Sequence, residues 1–282
     1  MEDLRLHFAN SGTVRVPAPL LLKRGGLRML DLKVRYGIVE HPRHGLIVID
    51  GGYAPSSFSR PHMSRMLKAY RQVLRPRISA LGGPHAAFEK IGRRVEDVQH
   101  IILTHLHLDH IGYLEQFPGA KIHLSRAALE ELETTPARRL ARHGIFKEAF
   151  SVTLRPRAFF FDEAPLVDLP EGLEGLGRDI LADGSIIAVP LPGHATGHHG
   201  LLFPTMSHPV LYAVDAAWTL PGLLEGRERR LPVIAVSRAP RQALATARML
   251  RSFSAKSNAE ILLCHDPSRT PYDLPMPVGD EA

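Results

Sequence analysis

Apolar residues follow two periods along the chain. A period of two, or a short unbroken apolar run, marks strands at 32–39, 46–50, 98–103, 121–124, 186–191, 200–203, 210–214 and 261–263. The turn His41-Pro42-Arg43-His44-Gly45 joins the first two into a β-hairpin, and Gly200–Phe203 with Val210–Val214 form a second. A period near 3.6 marks helices. Met63, Met66, Leu67, Tyr70 and Leu74 share a face of a helix that stops before Pro76. Further helices are predicted at 85–93, at 109–117, from an N-cap at Ser125 through Glu133, and at 241–253. This alternation of strands and helices places the chain in the α/β class. Residues 134–178 are less regular and read as an insertion or lid within a single domain spanning 1–282. The segment from Pro267 is Pro-rich and reads as irregular.

The two hairpins echo one another. The first ends Leu-Ile-Val-Ile-Asp50-Gly51-Gly52, the second Val-Leu-Tyr-Ala-Val-Asp215-Ala216-Ala217. Each second strand delivers an Asp followed by two small residues. Two similar β-rich halves packed face to face, with helices outside, would explain this; chance similarity of two hairpins is the alternative.

Composition narrows the class. At 44% hydrophobic and 23% charged residues, the 282-residue chain is ordinary globular protein, not disordered, collagen-like or coiled coil. The longest stretch free of Asp, Glu, Lys and Arg, 185–214, is broken by prolines and histidines and cannot be one membrane-spanning helix. The charged start MEDLRLHF lacks the apolar core of a secretory signal. Cys264 is the single cysteine, so no intrachain disulfide forms, and a cytoplasmic location is the expectation. The net charge of +6 raises the question of a nucleic-acid partner, but the arginines are scattered and the reading disfavours one.

Sixteen histidines change the picture more than the charge does. In Thr104-His105-Leu106-His107-Leu108-Asp109-His110, four ligand-type residues follow directly on a buried strand. Imidazole nitrogens with a carboxylate suit Zn²⁺ and similar divalent ions. His194, Asp215 and His265 each follow the end of another apolar strand. Thr104, Asp266 and Asp50 are candidates to orient ligand imidazoles, as is His198. Cys264 reads as a buried structural thiol. His41, His44, His62, His85, His100, His123, His143 and His208 read as surface or packing residues.

The series HLHLDH, PGHATGHH, VDAAW and LCHD resembles the metallo-β-lactamase superfamily over roughly Arg28 to Asp266. The resemblance implies a four-layer αβ/βα sandwich. It implies two divalent ions per chain, with Zn the default and Mn, Fe or Co alternatives. His105, His107 and His194 would hold one ion, Asp109, His110 and His265 the other, and Asp215 both. A water shared by two such ions becomes a hydroxide near neutral pH, the nucleophile of a hydrolase. Asp109, also a ligand, would carry a proton to the leaving group, and Asp215 would fix the spacing of the ions.

Within that superfamily the IDGG hairpin, the THLHLDH run, the PGHATGHH string and the short tail are most similar to the N-acyl homoserine lactone lactonase-like branch. Those lactonases commonly carry a Tyr three residues after the bridging Asp; here that position is Trp218, an indole donor that cannot act as an acid. The expected substrate is a small carboxylic ester, foremost a lactone. A phosphodiesterase, nuclease or thioester hydrolase on the same metal site is the alternative. No membrane partner is expected, and a homodimer is left open. Leu20 to Leu22, Phe146, Phe150, Phe159 to Phe161, Trp218, Leu223 and Leu224 are candidate pocket-wall residues.

Overall fold

The computed structural model describes residues 4–59, 61–150, 152–228 and 237–275. Thirteen strands and seven helices are ordered within them. The first sheet contains β1 (Arg5–Pro17), β2 (Met29–His41), β3 (Gly45–Ile49), β4 (Arg77–Ile78), β5 (Val98–Ile102), β6 (Lys121–Leu124) and β7 (Ala158–Phe160), in the order β4-β1-β2-β3-β5-β6-β7. The second contains β8 (Leu166–Asp168), β9 (Leu176–Asp179), β10 (Ile187–Pro190), β11 (His199–Phe203), β12 (Val210–Tyr212) and β13 (Glu260–Leu262), in the order β13-β12-β11-β10-β9-β8. The helices are α1 (Ala18–Leu21), α2 (Arg65–Leu74), α3 (Pro84–Lys90), α4 (Arg126–Thr134), α5 (Ala137–Ala141), α6 (Leu220–Leu224) and α7 (Pro240–Lys256).

The strand pleat sorts side chains into layers. On β3, Leu46 and Val48 join a core with Leu67 of α2 and Phe88 of α3, whereas Ile47 and Ile49 point the other way. These meet Leu201, Phe203, Val210 and Tyr212 of the second sheet, so the two sheets pack face to face. Leu202 and Leu211 turn outward from the second sheet onto Leu250 and Phe253 of α7. The result is helix, sheet, sheet, helix: the four-layer αβ/βα sandwich expected from the sequence. Phe253 is fully buried in its outer layer, where truncation to Ala costs about 3–5 kcal/mol.

The echo of the hairpins extends to topology. Antiparallel β2–β3 continues into parallel β5, and antiparallel β11–β12 into parallel β13. Each half places a non-glycine residue in the left-handed region where its hairpin ends, Asp50 at φ 61° and Val214 at φ 53°. A β-branched residue there is an outlier, costing of order 1–2 kcal/mol, and both lie beside side chains of the site described below.

One expectation differs. Residues 109–117 form two short 3₁₀ turns, Leu108–His110 and Leu114–Gln116, rather than a helix. The amides of Gly112 and Tyr113 instead donate to the carbonyls of Gly52 and Gly51, which docks this segment on the end of the first hairpin. Part of 134–178 is sheet: β7 extends the first sheet and β8–β9 the second. Among the described residues no helix is long and apolar enough to cross a membrane.

Candidate metal centre

Strands β3, β5, β10, β12 and β13 all end at one edge of the sandwich, and the loops that follow them carry the polar cluster. Asp215 is its hub. Its Oδ2 lies 3.2 Å from His194 Nε2, 3.2 Å from His265 Nε2, 3.3 Å from His110 Nε2 and 3.7 Å from His105 Nε2. His107 Nδ1 faces His194 Nε2 at 3.0 Å. The Asp109 carboxylate sits 3.5 Å from His265 Nε2 and 3.9 Å from His110 Nε2. Donor atoms therefore gather in two groups that share Asp215: His105, His107 and His194 on one side, His110 and His265 on the other, flanked by Asp109. Cys264 falls in the second group, but its thiol donates to the Arg35 carbonyl and belongs to the inter-sheet core.

Each imidazole is aimed by what its other nitrogen touches. His110 Nδ1 donates to Asp50 Oδ2 at 2.9 Å, and His265 Nδ1 to the Lys33 carbonyl at 2.7 Å. Both thereby turn Nε2 toward Asp215. Asp50 is held in turn by the amide and hydroxyl of Thr104. His198 donates to the Leu191 carbonyl and accepts from the Asp215 amide, a supporting role. Asp266 reaches no imidazole; it accepts from the amides of Leu220 and Ser268 and so ties the loop to α6. The His265 loop is further held by Arg35, fully buried, which donates to the carbonyls of Leu263, Cys264, Asp266 and Ser268 and pairs with Asp273. Gly193, at φ 126°, lets the His194 loop touch α7: a Cβ there would lie 2.0 Å from the Ala243 nitrogen.

The cluster is chemically unfinished as protein alone. His105 Nε2, His107 Nε2, His110 Nε2 and Asp215 Oδ1 are buried without a hydrogen-bond partner among the described residues. An unmet buried polar atom costs about 1–3 kcal/mol. Burial pushes the His105 and His107 imidazoles well below the usual histidine value, and neighbouring imidazoles push the same way, so both are neutral with lone pairs free. At His110 and His265 burial acts likewise, but the Asp215 carboxylate outweighs it and holds both well above the usual value. Asp215 lies well below the carboxylate range: burial opposes this, and His265 and His110 overcome it. Neutral imidazoles at His105 and His107, a shared carboxylate, and Nε2 atoms of His110 and His265 whose proton a cation would displace fit a pair of divalent cations.

A third histidine–aspartate group, His41, His44 and Asp183, lies at the opposite end of the sheets. It does not fit a metal. His41 Nδ1 accepts from the amides of Arg43 and His44, so the ring proton sits on Nε2, facing Ser185 and Asp183. Arg43 already pairs with Asp183 at 2.7 Å. Nearby His100 and His123 share one hydrogen bond at 2.9 Å, a packing arrangement.

Beside the cluster opens a mostly apolar cavity of about 630 Å³, within the range of small-molecule sites. His107, Asp109, His194, Asp215 and His265 close one end. Leu20, Leu21, Phe146 and Trp218 line it, whereas Phe159, Phe160 and Phe161 border a separate, smaller pocket with His123. Leu22, Phe150, Leu223 and Leu224 are absent from the wall. The wall also uses residues whose pattern gave no cavity signal: Val14 and Val16 of β1, and Met66, Tyr70, Val73 and Leu74 of α2. Tyr53, Arg142 and His143 also line it, so His143 is not simply a surface residue. Trp218 faces this space while its amide donates to Glu228 at 2.8 Å.

Comparison with known proteins agrees with this fold. N-acyl homoserine lactonase AttM of Azorhizobium caulinodans is 28% identical over 276 residues, covering 96% of each chain. AttM of Rhizobium radiobacter is 29% identical over 272 residues, covering 95% of each. Among solved structures, an N-acyl homoserine lactone hydrolase with the product N-hexanoyl-L-homoserine bound at its catalytic metal centre superposes with a TM-score of 0.67, at 22% identity and 94% coverage of both chains. AidC, a dizinc quorum-quenching lactonase, gives 0.64 at 17% identity, covering 96% of this chain and 93% of its own. The profile of the Metallo-beta-lactamase superfamily matches residues 31–257, and with the fold and the donor cluster already in view, the chain belongs to that superfamily.

Proposed function

We propose that this protein is a dinuclear metal-dependent hydrolase that opens a lactone, foremost an N-acyl homoserine lactone. One observation carries the reading: six ligand-type side chains gather around Asp215 at one end of an apolar cavity large enough for an acyl chain. His105, His107 and His194 would hold one ion, Asp109, His110 and His265 the second, and Asp215 would join them. Two such ions, with zinc favoured by the ligand types, supply a water ionised near neutral pH and a polarised ester carbonyl.

The chain's own residues do the rest. Asp50 and the Lys33 carbonyl hold His110 and His265 in the tautomer that leaves Nε2 free. Asp109, which lines the cavity beside His265, would take a proton and pass it to the ring oxygen as that oxygen leaves. Trp218 forms wall beside the reacting end and can donate an indole hydrogen bond but no proton. The apolar wall from α2 and β1 excludes water and takes the alkyl tail. The names of the AttM relatives support this substrate over a phosphodiester.

The test is a substrate panel with the metal-loaded protein: N-acyl homoserine lactones of several lengths, alkyl lactones, thioesters, aryl esters and a phosphodiester. The expected result is fastest turnover of the acyl lactones. Fastest turnover of the phosphodiester would refute the reading.

A further inference from the structure

Two phenol groups line the apolar cavity beside the metal cluster. Tyr53 Oη and Tyr70 Oη lie 2.8 Å apart, and both residues line the cavity that Asp109, Asp215 and His265 close. A pair of hydroxyls owns two donor protons, and the bond between them uses one. Neither oxygen has another hydrogen-bond partner among the described residues. One O–H is therefore left over.

The pair is rigid. Tyr70 packs edge-on against Phe146 at 5.3 Å and stacks on Phe58 at 6.4 Å, while the Tyr53 ring lies 5.4 Å from Phe58. The Tyr53 amide donates to Ser11 Oγ at 2.9 Å, which anchors the start of its loop. Burial raises both phenols well above their ordinary value and the Asp109 and Asp215 charges add to this, so both remain protonated donors throughout the neutral range. On α2, Met66, Val73 and Leu74 continue the wall away from Tyr70 as a purely apolar surface.

A substrate bound with its ester at the metal end and its tail along α2 would present its polar atoms in a fixed order. In an N-acyl homoserine lactone the first acceptor beyond the scissile carbonyl, moving toward the tail, is the acyl-amide oxygen. We propose that Tyr70, held by Tyr53, donates the spare O–H of the pair to that amide oxygen, and that the pair thereby selects acylated amino-lactones over alkyl lactones of the same length. This rests on the lactonase reading. It assigns Tyr70 to substrate binding and Tyr53 to positioning, away from bond breaking.

The experiment compares the zinc-reconstituted full chain with Tyr70→Phe, Tyr53→Phe and the double variant. Two substrates are used: N-hexanoyl homoserine lactone and an alkyl γ-lactone of matching length that lacks the amide. Tyr70→Phe and the double variant should raise KM for the acyl-amino lactone about 2–10-fold, the worth of one hydrogen bond, with kcat within twofold. Kinetics on the alkyl lactone should be unchanged. Tyr53→Phe should give a smaller rise, because it removes only the partner that orients Tyr70. Calorimetric binding of the ring-opened N-hexanoyl homoserine should weaken by the same factor as KM rises, with unchanged thermal midpoints. Equal losses on both lactones, or no loss in the double variant, would overturn the inference while leaving the lactonase reading intact. A wild-type protein that opens neither lactone would overturn both.

Discussion

Replacing Asp50 with Asn should separate the two ions. The Asp50 side chain is fully buried and accepts from the Thr104 amide at 2.9 Å, the Thr104 hydroxyl at 2.8 Å and His110 Nδ1 at 2.9 Å. The last bond fixes a proton on His110 Nδ1 and aims Nε2, 3.3 Å from Asp215 Oδ2, at the site a cation would take. An asparagine keeps one acceptor oxygen and turns an NH₂ toward the remaining donors. With the oxygen retained by the Thr104 amide, His110 loses its acceptor and the tautomer that can bind a cation. A hydrogen bond to a charged group is worth about 1.5–3 kcal/mol. Loss of such an outer partner typically lowers metal affinity about 10–100-fold, and the two ranges agree at about 1.4 kcal/mol per factor of ten. The variant should therefore bind the second ion about 10–100-fold more weakly. Affinity for the first, which Asp50 reaches only through the Thr104 hydroxyl beside His105 Nδ1, should fall less. Competition with a chromophoric chelator resolves the two steps, and metal content after dialysis checks them. Equal weakening of both steps, or of neither, would refute the division of ligands.

Gly193→Ala should lower the thermal midpoint by the equivalent of more than about 2 kcal/mol, because φ 126° and a Cβ 2.0 Å from the Ala243 nitrogen force α7 away; a neutral outcome by calorimetry would contradict this packing. Arg35→Met strips the donor from four carbonyls and leaves the half-buried Asp273 to Lys33, a loss of about 1.5–3 kcal/mol that urea unfolding would register and that Arg35→Lys should not fully restore. His100 and His123 are held by burial at about 4 and about 3, below the value near 6.5 of the unfolded chain. The unfolded state therefore binds more protons between those limits, so stability is full above pH 6.5 and falls as pH drops toward 4. The slope of thermal midpoint against pH in that window should flatten in His123→Phe, and parallel curves would count against the assignment.

How legible the sequence was depended on what each residue had to satisfy. Strands such as Val98–Ile102 and Gly45–Ile49 are buried on both faces, so their apolar runs stand out. The ligand motifs were readable because metal chemistry restricts residue type, not merely polarity. Strand β1 was missed: Asn10, Ser11 and Gly12 interrupt its pattern at a register shift between Asn10 and Thr13. The helix expected at 109–117 did not form because the Gly112 and Tyr113 amides found tertiary carbonyls. The apolar face of α2 announced a helix, but periodicity cannot tell a side chain that packs in a core, as Leu67 does, from those that line a cavity, as Met66 and Tyr70 do. The Tyr53–Tyr70 pair joins residues seventeen positions apart and had no local signature.

The central claim is that two ions sharing Asp215 enable the chain to open a lactone. The direct measurement is titration of the metal-stripped protein with zinc while following N-hexanoyl homoserine lactone ring opening by proton release. The account predicts that activity climbs to a plateau at two equivalents in the wild type and stays at background in Asp215→Ala. Full activity at one equivalent, or none with two ions bound, would contradict it.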